Sequence, residues 1–277
     1  MNAAMIRGPV VVGIDGSEPS MGALAWARDE ARRRGRPLTV VHAYGGDRGA
    51  AQKVLDGAVA QAREGADSIE IRSLLEPGSP ASVLLKEAVR AEMIVLGFRG
   101  HGGFTGMLLG STPLQVAHHA GCPVVVIREG ARDVAPGPSA GRVVLGLDGS
   151  PQSERAAALA FEEARYRGVG LTAVRAWLVP DIDTSASPAH EWEQAESDEQ
   201  RKLAESLAGW QDVFPGVDVI AKTVGGDPAP ILIDESAGAE LLVAGSHGRG
   251  GFGGLMLGSV SHALLHHAHC PVAVARA

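Results

Sequence analysis

Short, continuous runs of Val, Ile and Leu alternate along the chain with longer stretches in which Ala and Leu recur at helical spacing against Arg, Glu and Gln. In the first half the apolar runs fall at 10–14, 38–43, 68–74, 92–97 and 123–128. Runs without polar interruption are the signature of strands covered on both faces, hence of a parallel sheet. Between them, 18–34, 51–66, 80–91 and 111–120 carry the 3.6-residue pattern of amphipathic helices. Ser17 and Ser150 stand where helix N-caps belong, with Pro19 and Pro151 in the first turn. The order βαβαβαβαβ predicts a doubly wound sheet with right-handed crossovers, whose ligands bind at the carboxyl ends of the strands.

The pattern occurs twice. VVVGIDGS at 10–17 matches VVLGLDGS at 143–150, and LTVVHAY at 38–44 matches LTAVRAW at 171–177. Further on, IVLGFRGHGGFTGMLLGS at 94–111 meets LVAGSHGRGGFGGLMLGS at 242–259, and GCPVVVI at 121–127 meets HCPVAVA at 269–275. Between these two pairs of matches the offset grows, where PDIDTSASPAHEW follows LTAVRAW. A period this long, seen only twice, means duplicated domains rather than a solenoid. The predicted organisation is two tandem, Rossmann-like α/β domains, each a doubly wound five-stranded parallel sheet. Residues 1–130 form the first, 131–141 (ARDVAPGPSAG) a linker, and 142–277 the second.

Composition narrows the function. Hydrophobic residues are 45% and charged residues 21% of 277, so the chain folds into a globular core. With aromatics at 4%, Ala, Val, Leu and Ile must build that core. A formal net charge of −7 argues against a nucleic-acid binder and against an anionic-membrane binder. No stretch reaches the roughly 20 apolar residues of a membrane span. The start of the chain carries no signal-peptide pattern, and two cysteines cannot make a disulfide framework. A cytoplasmic location is expected.

Two sets of residues converge on the carboxyl edge of each sheet. Asp15 and Asp148 end the first strand in an Asp-Gly-Ser turn, which taken alone is an ordinary Asx turn and helix start. The second set is the glycine-rich loop after the fourth strand, Gly97-x2-Gly100-x9-Gly110-Ser111, repeated as Gly245-x2-Gly248-x9-Gly258-Ser259. Gly110-Ser111 and Gly258-Ser259 open a helix, so free N–H groups and the positive dipole end suit a phosphate. Identical spacing in both halves, where other loops diverge in length, favours phosphate binding over a merely flexible loop. No Walker A pattern occurs. Gly248-x-Gly250-x-x-Gly253 matches the dinucleotide fingerprint only by chance, because it follows the fourth strand and Thr105 breaks it in the first half.

These residues together resemble the universal stress protein family, in tandem form, over nearly the whole of both halves. The resemblance rests on the G-2x-G-9x-G-S loop, the early strand ending in Asp and the CPVxV close. It implies a nucleotide-binding sheet, in many members binding ATP, here expected with Mg2+. By the same resemblance Asp15 with Ala43, and Asp148 with Ala176, lie by the adenine, and Gly97 and Gly245 approach the ribose. Gly100, Gly110 and Ser111, with Gly248, Gly258 and Ser259, hold phosphates. Gly13, Arg99, His101, Gly102 and Thr112 complete the candidate set in the first half, and Gly146, Arg249, Gly250 and Val260 in the second. The halves differ: Phe98 and Arg99 stand where the second has Ser246 and His247, and His101 where it has Arg249. Both are expected to bind.

The function expected is a non-catalytic, nucleotide-dependent regulator of a stress response. A slow ATPase or nucleotide-processing enzyme on the same sheet is the first rival, and a nucleotide-free interaction module the second. Lysine occurs only at 53, 86, 202 and 222, outside the glycine loops, and no nucleophile–base pair faces them. His262, His266, His269 and Cys270 have metal-like spacing but are not duplicated in the first half. Cys122 and Cys270 read as buried small hydrophobes. The last runs, 123–128 and 271–277, are apolar sheet edges that need cover, and the family resemblance suggests that the lobes pair through them. A homodimer through another surface is left open.

Overall fold

A computed structural model of the chain describes residues 8–64, 68–100, 109–128, 135–177, 188–248 and 257–276, with side chains from 192 onward in the fifth of these stretches. It divides into two compact units, Met1–Gly130 with Arg276–Ala277, and Ala131–Ala275.

In the first unit β1 (Val10–Gly13), β2 (Leu38–Tyr44), β3 (Ile71–Pro77), β4 (Met93–Gly97) and β5 (Val124–Ile127) alternate with α1 (Glu18–Arg34), α2 (Arg48–Arg63), α3 (Pro80–Ala88) and α4 (Ser111–His119). The strands are parallel in the order β3-β2-β1-β4-β5. Helices α1 and α2 pack together on one face of this sheet, and α3 and α4 on the other. Both faces are therefore covered, and every residue of β4 and β5 is buried. β3 lies at the edge with a largely exposed pattern, so its apolar signal is diluted and the strand runs about three residues later than its sequence pattern predicts. α2 starts before its apolar periodicity does, because the Asp47 carboxylate accepts from Gly49 N–H at 2.7 Å and caps it.

The second unit repeats this with β6 (Val143–Gly146), α5 (Pro151–Arg167), β7 (Leu171–Trp177), α6 (Pro188–Val213), β8 (Val219–Gly225), α7 (Pro228–Glu235), β9 (Leu241–Gly245), α8 (Ser259–His267) and β10 (Val272–Ala275). Its parallel order is β8-β7-β6-β9-β10. The described end of the expected linker is built into this unit. Gly137 N–H donates to Ala237 O and Gly141 N–H to Gly238 O, both at 2.8 Å, and the Ser139 hydroxyl donates to the Glu235 carboxylate. Residues 131–134 lie outside the described set. Among the described residues no helix is long and apolar enough to cross a membrane.

In the first unit the chain leaves β1 toward β2 and β3, then crosses back to lay β4 on the other side of β1. That reversal opens a crevice at the carboxyl ends of β1 and β4, where open α/β sheets place their ligands.

Candidate functional site

The turn after β1 is an Asx turn in both units. Asp15 Oδ1 accepts from Ser17 N–H at 3.0 Å and from Ser17 Oγ at 2.5 Å, and Asp148 Oδ1 accepts from Ser150 N–H at 2.9 Å. Gly16 and Gly149 sit at φ 83° and 78°, a region that a Cβ disfavours, which is why the motif reads Asp-Gly-Ser. Ser17 and Ser150 then cap α1 and α5 through Ser20 N–H and Ser153 N–H.

The other oxygen of each carboxylate faces the glycine loop. A Cβ built on Gly100 would lie 2.2 Å from Asp15 Oδ2, and one on Gly248 2.6 Å from Asp148 Oδ2. The two sets of residues that the sequence analysis treats separately are thus in direct contact, and the glycine is demanded by the aspartate. Gly97 has a different reason. Its Cβ would lie 2.6 Å from Pro19 O and 2.7 Å from Pro19 C, so the residue lets α1 close onto the end of β4.

Each loop is anchored at both ends. Phe98 N–H extends the sheet by donating to Ile127 O at 2.8 Å, and Gly110 N–H returns to Phe98 O at 3.0 Å. Ser246 and Gly258 repeat this, with Gly258 N–H to Ser246 O at 2.8 Å. Where the loop closes, α4 begins on Gly110 with no side-chain cap, and α8 on Gly258 likewise. Every other N-cap among the described residues is a Ser or Asp whose side chain accepts a backbone N–H. The first N–H groups of α4 and α8 have no partner within the helix, and the positive end of the dipole is left for an outside anion.

Around this edge the first unit encloses a cavity of about 500 Å³, a size suited to a small organic ligand. Gly13, Ile14 and Asp15 from the end of β1, Val41 and Ala43 from β2, and Pro80 and Leu84 from α3 line one part of it. Leu96 and Gly97 at the end of β4, Arg99 and Gly100 after it, and Leu109 to Pro113 at the start of α4 line the rest. So Gly13, Asp15, Ala43, Gly97, Arg99, Gly100, Gly110, Ser111 and Thr112 come together around one space. His101, Gly102, Arg249 and Gly250 lie outside the described residues. In the second unit Gly146 ends β6, Asp148 meets Gly248, Ala176 lies near the end of β7, Gly245 ends β9, and Gly258, Ser259 and Val260 open α8. The apolar wall of Ile14, Val41, Pro80 and Leu84 escaped the sequence analysis. Val41 was legible, since strand residues two apart share a face and Ala43 is a candidate.

Among the described residues no group of three or more His, Cys, Asp or Glu is placed to hold a metal. Cys122 and Cys270 are buried, and burial pushes each thiol up to about 12. Neither should react with an aromatic disulfide reagent at pH 8 in the native chain, while both react after denaturation; a fast native thiol would overturn this burial. The raised values also carry a sign. Above pH about 9 the unfolded thiols ionise while the folded ones stay protonated until about 12, so stability should fall as pH rises through that window.

Comparison with known proteins agrees with this fold. The model of the universal stress protein family matches residues 7–128 and again 140–276. A universal stress protein of Mycobacterium tuberculosis is 41% identical over 287 residues, covering 96% of this chain and 96% of its own length. A second from that organism is 37% identical over 289 residues with the same coverage. Among solved structures, a universal stress protein from Archaeoglobus fulgidus covers 97% of this chain and 98% of its own, with a TM-score of 0.65 at 21% identity, a likeness of fold.

Proposed function

Since the chain belongs to the universal stress protein family, we propose that it is an adenine-nucleotide-binding regulator whose signal is nucleotide occupancy rather than turnover. The observation that carries this reading is the cavity of the first unit, where an apolar wall from β1, β2 and α3 meets the uncapped start of α4. An adenine suits the first and phosphates suit the second. ATP is the nucleotide proposed, with Mg2+ entering as the counter-ion of its phosphates. The Asp15–Gly100 contact recurs as Asp148–Gly248, and the uncapped α4 recurs as α8. Two nucleotides per chain are therefore expected.

Binding without efficient catalysis follows from what lines the cavity. Among the described residues its ionisable side chains are Asp15 and Arg99. Asp15 already accepts two hydrogen bonds from Ser17 through one oxygen, which makes it a poor base for activating water. Hydrolysis should run far below the about 1–1000 per second of ordinary enzymes.

The test is to denature the freshly purified chain, identify any released nucleotide by mass spectrometry, and titrate the emptied protein calorimetrically with ATP, ADP and AMP. Two equivalents of adenine nucleotide bound support the reading. No binding at millimolar concentration overturns it, and brisk turnover that a single loop substitution abolishes would replace it with the enzyme.

A further inference from the structure

α4 and α8 open with the same backbone but with different donors. Gly110 and Gly258 both hold φ at −64°, with ψ at 153° and 157°, so the two helices start alike. The helical ladder begins at the fourth residue, where Leu114 N–H donates to Gly110 O at 3.2 Å and His262 N–H to Gly258 O at 2.9 Å. The three residues before it are Ser111, Thr112 and Pro113 in α4, and Ser259, Val260 and Ser261 in α8. N–H groups at these positions have no acceptor within their own helix. Proline has no N–H at all. The first unit therefore offers an anion two amides at its helix start where the second offers three.

The missing amide matters because of where the third amide of a helix points. In α1, α3 and α5 it donates to the serine cap: Ser20 N–H to Ser17 Oγ at 3.4 Å, Ser82 N–H to Ser79 Oγ at 3.3 Å, and Ser153 N–H to Ser150 Oγ at 3.2 Å. It aims at the space that a cap side chain fills, and the glycine caps of α4 and α8 leave that space open. In α8 the Ser261 hydroxyl is already donated to Ser246 O and Gly258 O, each at 3.0 Å, so the N–H is the donor left for a ligand. In α4 the same position is Pro113, which lines the first-unit cavity with no donor to give. Thr112 lines the cavity too and carries a hydroxyl where the second unit has Val260. That is a rotatable donor in place of one fixed along the helix dipole.

Taking the nucleotide reading above as its basis, we infer that Pro113 is a specificity-determining residue of the first-unit site. By deleting the third amide at the start of α4, it weakens the hold on nucleotide phosphates and leaves the apolar wall to carry more of the binding. The first-unit site thus separates ATP from adenosine less sharply than its helix start would otherwise allow.

The experiment uses the full chain carrying Gly248→Val, which presses a side chain on Asp148 so that the first-unit site is the one read. Affinities for ATP and adenosine are measured calorimetrically with Pro113 in place, and again after Pro113→Ala and after Pro113→Ser. Both substitutions supply the N–H, and Pro113→Ala adds no other donor. Each should raise ATP affinity about tenfold, the effect of one hydrogen bond to a charged group, and leave adenosine unchanged. If neither raises ATP affinity, if adenosine gains as much as ATP, or if Pro113→Ser acts and Pro113→Ala does not, the amide is not the determinant and the inference fails. Should Gly248→Val not fold, the same substitutions are read in the otherwise unaltered chain. There one of two bound equivalents of ATP should tighten, and two unchanged equivalents overturn the inference. A folded chain that binds neither ATP nor adenosine, before or after substitution, overturns the nucleotide reading and this inference with it.

Discussion

Gly100→Val is expected to empty the first-unit site and to reduce nucleotide stoichiometry from two to one. A Cβ at position 100 falls 2.2 Å from Asp15 Oδ2 and 3.3 Å from Asp15 Cγ. The carboxylate has little room to yield, because its other oxygen is held by Ser17 N–H and Ser17 Oγ. That Asx turn also sets the start of α1. Either the loop after β4 is pushed off the end of β1, or the turn breaks. In both outcomes Arg99 and the start of α4 leave their places around the cavity, and nucleotide affinity there should fall by tenfold or more, about 1.4 kcal/mol or above. Stability should change less, since the loop lies at the rim of the core. Asp15→Ala combined with Gly100→Ala removes the colliding oxygen and should recover loop geometry, which separates crowding from a loss of fold. Calorimetry that still finds two sites in folded Gly100→Val removes the Asp15–Gly100 contact from the site.

The largest stability effect is expected at Arg34, buried between two carboxylates. Its Nε lies 2.5 Å from Glu30 Oε1 and its Nη1 2.6 Å from Glu92 Oε1, with side-chain exposures of 1%, 0% and 6%. Arg36 holds the other oxygen of Glu92 at 2.6 Å, so Glu92 keeps a partner when Arg34 is removed. Glu30 is also reached by Arg33, at 3.6 Å from a partly exposed position. Arg34→Met should cost the first unit about 3–5 kcal/mol, the range for breaking a buried ion-pair network by removing one member. Arg32→Met is the control. Its pair with Asp29 is exposed and 3.8 Å long, and losing it should cost under about 0.5 kcal/mol. Denaturant unfolding compares the two. Equal effects from both substitutions would mean that the buried network contributes no more than a surface pair.

Much of the fold was legible because parallel strands covered on both faces leave a blunt pattern. VVVG at β1 and MIVLG at β4 are apolar on every position that the helices cover. The caps of α1 and α5 were legible for a local reason, since Ser17 and Ser150 bond to residues three positions on. The misplaced elements are those where tertiary context outweighs local pattern. β3 borders one strand only and needs few apolar residues, so IRSLLEP blurs into its flanks.

The site divides in the same way. Duplication and the spacing of the glycines pointed to Asp15, Gly97, Gly100 and Gly110 and to their partners in the second half, because covalent spacing is a property of the chain. What the glycines are for is a matter of contact across the fold. Gly97 is small because α1 closes on it at Pro19, and Gly100 because Asp15 occupies the space its side chain would need. Neither neighbour is close along the chain, so no local pattern records them. Arg128 makes the point most plainly. As one of several charges after a strand it looks like ordinary solvated surface, and only the packing of β5 beside β4 sets it on the Phe98 ring with Arg99. Local spacing carries hydrogen bonds, caps and strand pattern, whereas excluded volume and charge act between whichever groups the folded sheet brings together.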